Sequence, residues 1–192
     1  MKELQTALAR HRLVAILRAG DASRFSDAAT VLSAAGVRLI EATLTTPGAP
    51  AAITAMRSAL GDECWVGAGS VREPFDVDVA VDAGARYLVT PTEIDQAWRL
   101  GAAAVKVFPV AAVGGVAYLR AVRAPMPDVP LVPTGGVHLA DVEGYLKSGA
   151  IAVAAATPLL GDSLGSGGSL PGLATRAGEF VGAAARFGSK DS

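Results

Sequence analysis

Apolar residues occur in short runs that recur along the chain, and segments with helical periodicity separate these runs. Runs of this length, rich in valine, isoleucine and alanine, are typical of strands buried in a parallel sheet. Glycine follows several helical segments, as at Gly36 and Gly84, where a helix is expected to end. The pattern predicts seven strands: Leu13–Leu17, Val37–Leu44, Cys64–Ala68, Arg86–Val89, Ala103–Phe108, Leu131–Val132 and Ile151–Ala155.

The segments between these runs predict helices that alternate with the strands, which favours a parallel sheet built from βα repeats. A first helix over Lys2–Arg10 precedes the first strand, and a last helix over about Leu170–Phe187 follows a loop rich in glycine and serine. Polar residues gather where strands end, and parallel βα folds build their active sites there. Convergence of so many strand ends favours a barrel over an open sheet. The other predicted helices include Ser26–Ala35, Ala49–Leu60, Phe75–Ala83, Ile94–Leu100 and Ala140–Lys147.

Composition narrows the class of protein. The 192 residues suit one domain over 1–192, and a hydrophobic fraction of 51% is sufficient for a full core. A net charge of −1, with scattered basic residues, argues against a nucleic-acid partner. Cys64 is the only cysteine, which excludes an internal disulfide and a thiolate metal site. No apolar run is long enough to cross a bilayer, so we expect no membrane partner and a cytoplasmic location.

Lys106 is the most informative residue, because it interrupts a run of residues that otherwise predicts a strand buried on both faces. Burial disfavours the ammonium form of lysine, and the neutral amine can attack a carbonyl to form a Schiff base. Lys106 is therefore a candidate nucleophile. The alternative is an edge strand whose lysine stem reaches out to solvent.

Five segments, in this order, resemble one known family: Glu41–Leu44, Val66–Val71, Val89–Pro91, Val105–Pro109 and Pro133–Val137. The family is that of the 2-keto-3-deoxy-6-phosphogluconate aldolases, with the related 4-hydroxy-2-oxoglutarate and phosphogalactonate aldolases. The resemblance spans nearly the whole chain. It implies a (β/α)8 barrel of the TIM type, usually trimeric, that cleaves a keto acid to pyruvate and an aldehyde by class I chemistry. It implies no metal and no organic cofactor.

The resemblance assigns roles to three charged residues. Lys106 corresponds to the Schiff-base lysine, and Glu41 to the general acid/base that moves protons around it. Arg18, after the first strand, resembles an arginine that can hold a carboxylate or a phosphate at two points. Without the lysine, Glu41 would be interpreted as a surface acid at a strand end. The alternative for Arg18 is an exposed arginine in an ion pair.

The same resemblance places smaller residues around the substrate. Ser70 occupies the last position of the family's Gly-Ala-Gly-Thr motif and is a candidate hydrogen-bonding group. Pro91 and Thr134 are expected at the same mouth. Gly135 and Gly136 precede a helix, where backbone N–H groups can bind an anion. Their alternative role is a tight turn between strand and helix.

Two local differences from the family bear on the substrate. Thr45 stands where the phosphogluconate enzymes have an arginine associated with the pyruvate carboxylate, so Arg18 is expected to be the main carboxylate clamp. Thr157 ends an Ala-Ala-Thr segment where phosphate-binding members have Gly-Gly-Ser. The added methyl groups hinder close approach of an anion, which makes an unphosphorylated keto acid such as 4-hydroxy-2-oxoglutarate an alternative substrate.

The third difference concerns length. The segment between Pro91 and Lys106 is too short for the helix and strand that the family places there, so one βα unit is missing and seven remain. A barrel with seven units cannot close in the normal way, because strand number and shear are linked. A deletion in a natural gene, a designed variant and a genuine seven-stranded member are all compatible with the sequence.

Two functional classes follow. The first is a class I aldolase that uses Lys106, Glu41 and Arg18. The second is a catalytically impaired, truncated barrel that serves as a ligand-binding or oligomeric scaffold. Free sheet edges beside a missing unit predict association between copies or poor solubility.

Overall fold

The computed structural model describes residues 2–187, in which seven strands alternate with helices. Four helices cover the early part of the chain, Lys2–His11 (α1), Phe25–Ala34 (α2), Ala49–Leu60 (α3) and Pro74–Asp82 (α4), followed by Ile94–Arg99 (α5). The later helices are Gly115–Arg123 (α6), Val142–Lys147 (α7), Thr157–Leu160 (α8) and Leu170–Ala185 (α9). The strands are Leu13–Leu17 (β1), Leu39–Thr43 (β2), Trp65–Gly69 (β3), Leu88–Val89 (β4), Val105–Val107 (β5), Leu131–Pro133 (β6) and Val153–Ala155 (β7).

All strand pairs are parallel, and they form two sheets. One has the order β4-β3-β2-β1-β7, and the other consists of β5 and β6. A single parallel bridge between Thr134 and Ala154 links the second sheet to the first. Within residues 2–187, no backbone pairing joins β4 to β5. We call the gap between these two strands the slot.

The predicted α/β class with a parallel sheet is confirmed, whereas a continuous ring of paired strands is not formed. The sheet curls through β4, β3, β2, β1 and β7, continues across the bridge to β6 and β5, and stops at the slot. The chain runs directly from β4 to α5 through residues 90–93, without a strand in between. This short connection is where the sequence predicts the missing unit. One domain over 1–192 stays a prediction, since Met1 and residues 188–192 lie outside the described residues.

The apolar side chains of the strands form two clusters, one on each face of the sheet. They do so because successive side chains along a strand point to opposite faces. On β1, Leu13, Ala15 and Leu17 belong to the large outer cluster between sheet and helices. Val14 and Ile16 belong to a smaller inner cluster. Residues Ala7 and Leu8 of α1 join the inner cluster, so this helix covers one end of the strands.

The element predictions differ from the structure mainly at the ends. The predicted strands Val37–Leu44 and Ala103–Phe108 shorten to β2 and β5. The helix α6 was not among the predicted elements, and it occupies the segment between β5 and β6. Cys64 is fully buried. No helix within the described part of the chain is both long and apolar enough to span a membrane.

Candidate active site

Lys106 and Glu41 form an ion pair across the interior of the curled sheet. The Nζ atom of Lys106 lies 3.1 Å from Oε1 and 3.2 Å from Oε2 of Glu41. Only 2% of Glu41 is exposed, whereas a quarter of the Lys106 side chain remains accessible. A carboxylate this deep in the protein requires a partner, because an unpaired buried charge is very costly. The two predicted catalytic residues therefore lie within direct proton-transfer distance.

Strand alternation explains how both side chains reach the interior. On β2, Glu41 is two residues after Leu39, which belongs to the inner cluster. On β5, Lys106 lies between Val105 and Val107, which both pack in the outer cluster. Both residues therefore occupy the inward-facing positions of their strands. The slot leaves β5 paired on one side only, yet Lys106 points inward rather than along the edge to solvent.

Two glycines of β3 make the space that Glu41 requires. Gly69 pairs with Thr43 in the parallel register, and a Cβ at Gly69 would lie 2.0 Å from Oε1 of Glu41. A Cβ at Gly67 would lie 2.4 Å from the ring of Tyr87. Because Gly67 and Gly69 have no side chains, the carboxylate of Glu41 and the ring of Tyr87 can lie over this strand.

Tyr87 is an inward-facing residue that the sequence did not single out. It is 9% exposed, and its hydroxyl is buried without a hydrogen-bond partner among residues 2–187. Burial, and secondarily the negative charge of Glu41, raise the pKa of Tyr87 well above its ordinary value of 10.0. The phenol therefore stays neutral at physiological pH.

A cavity of about 490 Å³ opens at the carboxyl ends of the strands, and we call it the mouth cavity. Lys106, Glu41, Arg18 and Ser70 all line it. The guanidinium of Arg18 is exposed and donates a hydrogen bond of 3.2 Å to Oγ of Ser70. Ser70 has a φ of 60°, a left-handed conformation that is rare for a residue with a side chain and is common at functional sites. A cation and a hydroxyl thus meet beside the lysine.

The remaining predicted residues divide into two groups. Four of them line the mouth cavity with Lys106, namely Thr45, Pro91, Thr134 and Gly135. Gly136 and Thr157 lie outside this lining. Thr157 is exposed and begins the short helix α8, and its neighbour Ala156 lines the cavity instead. The structure therefore brings together eight of the ten predicted site residues.

Two residues that line the mouth cavity, Thr134 and Gly135, also have structural roles. The hydroxyl of Thr134 donates to the carbonyl of Val132 at 3.1 Å, so its proton is already engaged. Gly135 has a φ of 89°, and a Cβ there would lie 2.8 Å from the ring of Phe108. Gly136 has a φ of 74° and is similarly close to Ala111. These contacts favour a tight turn packed against the segment after β5.

Arg72 is a second arginine of the mouth cavity, and sequence reasoning missed it. Its Nε lies 3.5 Å from Oδ2 of Asp76, and its side chain is 62% exposed. The sequence did indicate this position, because Arg72 is two residues after the predicted site residue Ser70, at the end of β3. Within residues 2–187, no group of His, Cys, Asp or Glu side chains could hold a metal ion.

Comparison with known families gives a match over most of the chain. The model of the KDPG and KHG aldolase family matches residues 4–92 and residues 88–167. The two matched segments overlap at residues 88–92, which form β4 and the start of the connection to α5. The match therefore divides at the place where the chain lacks a strand between β4 and α5.

Individual relatives agree with the family match. The chain is 30% identical to the 2-dehydro-3-deoxy-phosphogluconate aldolase of Treponema pallidum over 164 residues, which covers 73% of this chain and 78% of the relative. It is 29% identical to the 2-dehydro-3-deoxy-6-phosphogalactonate aldolase of Escherichia coli over 172 residues, with coverage of 77% and 82%.

Solved structures show the same fold. The native KDPGal structure superimposes with a TM-score of 0.81 at 27% identity, and the alignment covers 91% of this chain and 95% of that chain. The arrangement of helices and strands is thus shared with this structure over almost the full described length.

Proposed function

The chain belongs to the KDPG and KHG aldolase family, and on this basis we propose that it is a class I aldolase that cleaves a 2-keto-3-deoxy sugar acid or 4-hydroxy-2-oxoglutarate to pyruvate and an aldehyde. The observation that carries the proposal is the contact of 3.1 Å between Lys106 and the buried carboxylate of Glu41. A non-catalytic scaffold has no need of an inward-facing lysine paired with a carboxylate at the floor of an open cavity.

The reaction begins with the loss of a proton from the ammonium of Lys106 to Glu41, which is close enough to accept it directly. The free amine then attacks the keto carbon of the substrate and forms a carbinolamine. Glu41 returns the proton to the carbinolamine hydroxyl, and water leaves to give an iminium. The positive nitrogen is an electron sink for the carbon–carbon bond that breaks next.

In the cleavage step, Glu41 takes the proton of the substrate hydroxyl, and the aldehyde leaves. The electron pair of the broken bond moves toward the iminium nitrogen and gives an enamine. Protonation of the enamine carbon gives the iminium of pyruvate, and water then releases pyruvate and the free lysine. One carboxylate thus alternates between acid and base, as its contact with Nζ through both oxygens allows.

Binding is assigned to the groups around this pair. Arg18 holds the carboxylate of the keto acid, and Ser70 orients the guanidinium through the hydrogen bond that it accepts. Thr45, Pro91, Thr134 and Gly135 complete the wall of the mouth cavity. Gly136 and Thr157 support the turns beside it. The required co-reactants are water and protons only.

The assembly and location of the protein are also part of the proposal. We infer a seven-unit derivative of the family barrel, supported by the divided family match and by the unpaired edges at β4 and β5. We infer a homotrimer, which follows from the family resemblance alone, and a cytoplasmic location, which the sequence predicts.

Reductive trapping tests the chemistry. The protein is incubated with pyruvate and sodium borohydride, and its peptides are analysed by mass spectrometry. The expected result is a reduced adduct on Lys106 that is absent in the variant Lys106→Met. Lys147, which is exposed and paired with Glu143, is a control site that should remain unmodified. Folded protein without an adduct, beside a relative that is trapped in parallel, would refute the aldolase and favour the scaffold.

A further inference from the structure

A second cavity lies on the other side of the catalytic pair, and it is distinct from the mouth. It has a volume of about 290 Å³, and its lining includes Tyr87, Ala104 and Leu8. Lys106 and Glu41 line both cavities, so they form part of the wall between them. We call the second space the slot cavity, because the ends of β4 and β5 border it at the slot.

The missing pairing between β4 and β5 accounts for this space. In a complete parallel barrel, layers of large inward-facing side chains fill the interior. Here the inward-facing positions that line the cavity include small residues, such as Ala104 before β5 and Ala154 on β7. Residues Leu4 and Leu8 of α1 cover the far end. The result is a predominantly apolar chamber inside the curled sheet.

The chamber contains one polar group without a partner. Tyr87 is one of the lining residues, and its hydroxyl is buried and donates no hydrogen bond to any residue in the range 2–187. A buried donor without an acceptor has lost its hydration without compensation, which costs about 1–3 kcal/mol. A ligand that supplies an acceptor at this point would recover that loss. The raised pKa of Tyr87 keeps the phenol in its donating, neutral form.

The volume and polarity define the class of ligand. An apolar cavity of about 150 Å³ is sufficient to bind benzene, so 290 Å³ accommodates a substituted ring. Apart from Thr90 and Thr92, which line both cavities, the lining is apolar except for Tyr87 and for Lys106 and Glu41, whose charges satisfy each other. A charged ligand would be desolvated there without a counter-ion. The matching ligand is therefore uncharged, apolar and equipped with one acceptor.

We propose that the slot cavity is a second binding site, for a small, uncharged, apolar ketone or aldehyde whose carbonyl oxygen accepts a hydrogen bond from Tyr87. The site is separate from the mouth cavity in which the keto acid reacts, and no covalent step is involved. It does not depend on the proposed aldolase chemistry.

A matched pair of ligands tests the hydrogen bond. Acetophenone and ethylbenzene have the same skeleton, and only the first has a carbonyl oxygen. Protein-observed NMR titrations at pH 7 should give a Kd of about 1 mM or tighter for acetophenone. The variant Tyr87→Phe should weaken acetophenone about threefold to tenfold and leave ethylbenzene unchanged. Equal effects on both ligands, or none on acetophenone, would overturn the role of Tyr87.

A filling variant tests the location. Ala104→Leu adds three carbon atoms to the lining of the slot cavity and should abolish binding of both ligands. Ala185→Leu makes the same change at an exposed position of α9 and should have no effect. Undiminished binding in folded Ala104→Leu would overturn the site.

The outcomes also separate this proposal from the aldolase. If the protein traps pyruvate on Lys106 but binds neither ligand, the aldolase proposal stands and the second site is overturned. Binding of acetophenone by protein that traps no pyruvate would support the second site and refute the aldolase.

Discussion

At the scale of single residues, the proposed chemistry depends on the contact between Lys106 and Glu41. Glu41 is almost completely buried, and Lys106 provides its counter-charge. Each charge alone would be costly at this depth, and pairing offsets that cost. In the proposed mechanism, the same contact also transfers the proton.

Replacement of Glu41 by glutamine should separate these two roles. Glu41→Gln keeps the shape of the side chain and removes the base, so we expect kcat for keto-acid cleavage to fall about 10²- to 10⁴-fold. Coupled detection of released pyruvate measures the rate. Circular dichroism checks that the variant is folded, and a rate within twofold of the wild type would remove Glu41 from the mechanism.

The two arginines of the mouth cavity should respond differently to substrate. Arg18→Ala should raise KM about 10- to 100-fold for every keto acid, because each carries the carboxylate that this residue holds. Arg72→Ala should raise KM only for substrates with a second anionic group. The measurement compares 4-hydroxy-2-oxoglutarate, a phosphorylated sugar acid and an unphosphorylated sugar acid. An equal effect of Arg72→Ala on all three would contradict this division.

Tyr87 should make the free energy of unfolding decrease at high pH. Its pKa is raised in the folded state, mainly by burial, so above pH 10.0 the unfolded chain loses this proton while the folded protein retains it. Stability should therefore fall as pH rises above this value, and Tyr87→Phe should make the fall less steep. At pH 7, the same variant should raise the free energy of unfolding by about 1 kcal/mol, because a buried donor without a partner is removed.

Urea titrations at pH 7, 9 and 11 measure both effects. Tyr145→Phe is a suitable comparison, because the pKa of Tyr145 is also raised by burial, with a smaller contribution from Asp141, at a position far from the catalytic pair in sequence. A parallel loss of stability above pH 10 in wild type and Tyr87→Phe would exclude Tyr87 as its source.

At the scale of elements, β3 determines where the carboxylate of Glu41 lies. Its inward-facing positions are Trp65, Gly67 and Gly69, so most of this strand presents backbone to the interior. The neighbouring strands then contribute the side chains that fill the space over it. A single methyl group on β3 should be enough to disturb the site.

Gly69→Ala tests this role of the strand. The added Cβ would overlap the end of the Glu41 side chain, which can rotate, so the carboxylate should leave Lys106 while the fold is retained. We expect activity to fall at least tenfold and the free energy of unfolding to decrease, because the buried carboxylate loses its counter-charge. Gly178→Ala in α9 is the control, since nothing lies within 4 Å of its Cβ, and it should retain activity and gain about 0.5–1 kcal/mol.

The elements were predictable to different degrees. Apolar runs located all seven strands, because burial on both faces leaves a local signature in the sequence. Tyr87 was included in the predicted strand Arg86–Val89 but had no assigned role, because its contact with Gly67 is twenty residues away and leaves no local pattern. The slot cavity exists because the edges of β4 and β5 do not pair with each other. Strand pairing of this kind cannot be predicted from a single sequence. The short connection after Pro91 was its only visible sign.

At the scale of the whole molecule, the unpaired edges of β4 and β5 remain available to other chains. Large apolar side chains are exposed on the adjoining helices, including Phe75 at 69% and Leu100 at 79%. Contact with further copies would cover such surfaces.

With the trimer inferred from the family resemblance, sedimentation equilibrium should give a mass of three times 19.3 kDa, the mass of one chain. Leu100→Lys should lower the degree of association if this surface lies in the contact. Gly182→Ala, on an open part of α9, is a variant that should leave the mass unchanged. A monomer at micromolar concentration would contradict the expected trimer.

The overlap of the two family matches at residues 88–92 has a consequence for how such proteins change in length. The same five residues match both the part of the family that ends there and the part that resumes there, so this segment is a seam. In the seven-unit derivative that we infer, a βα unit is absent at this segment, yet β1, β2, β3 and β7 keep their parallel neighbours in register, as do β5 and β6. Insertion of the corresponding βα unit of a relative after Pro91 would then join β4 to β5 through a new strand. The same insertion would remove the slot cavity.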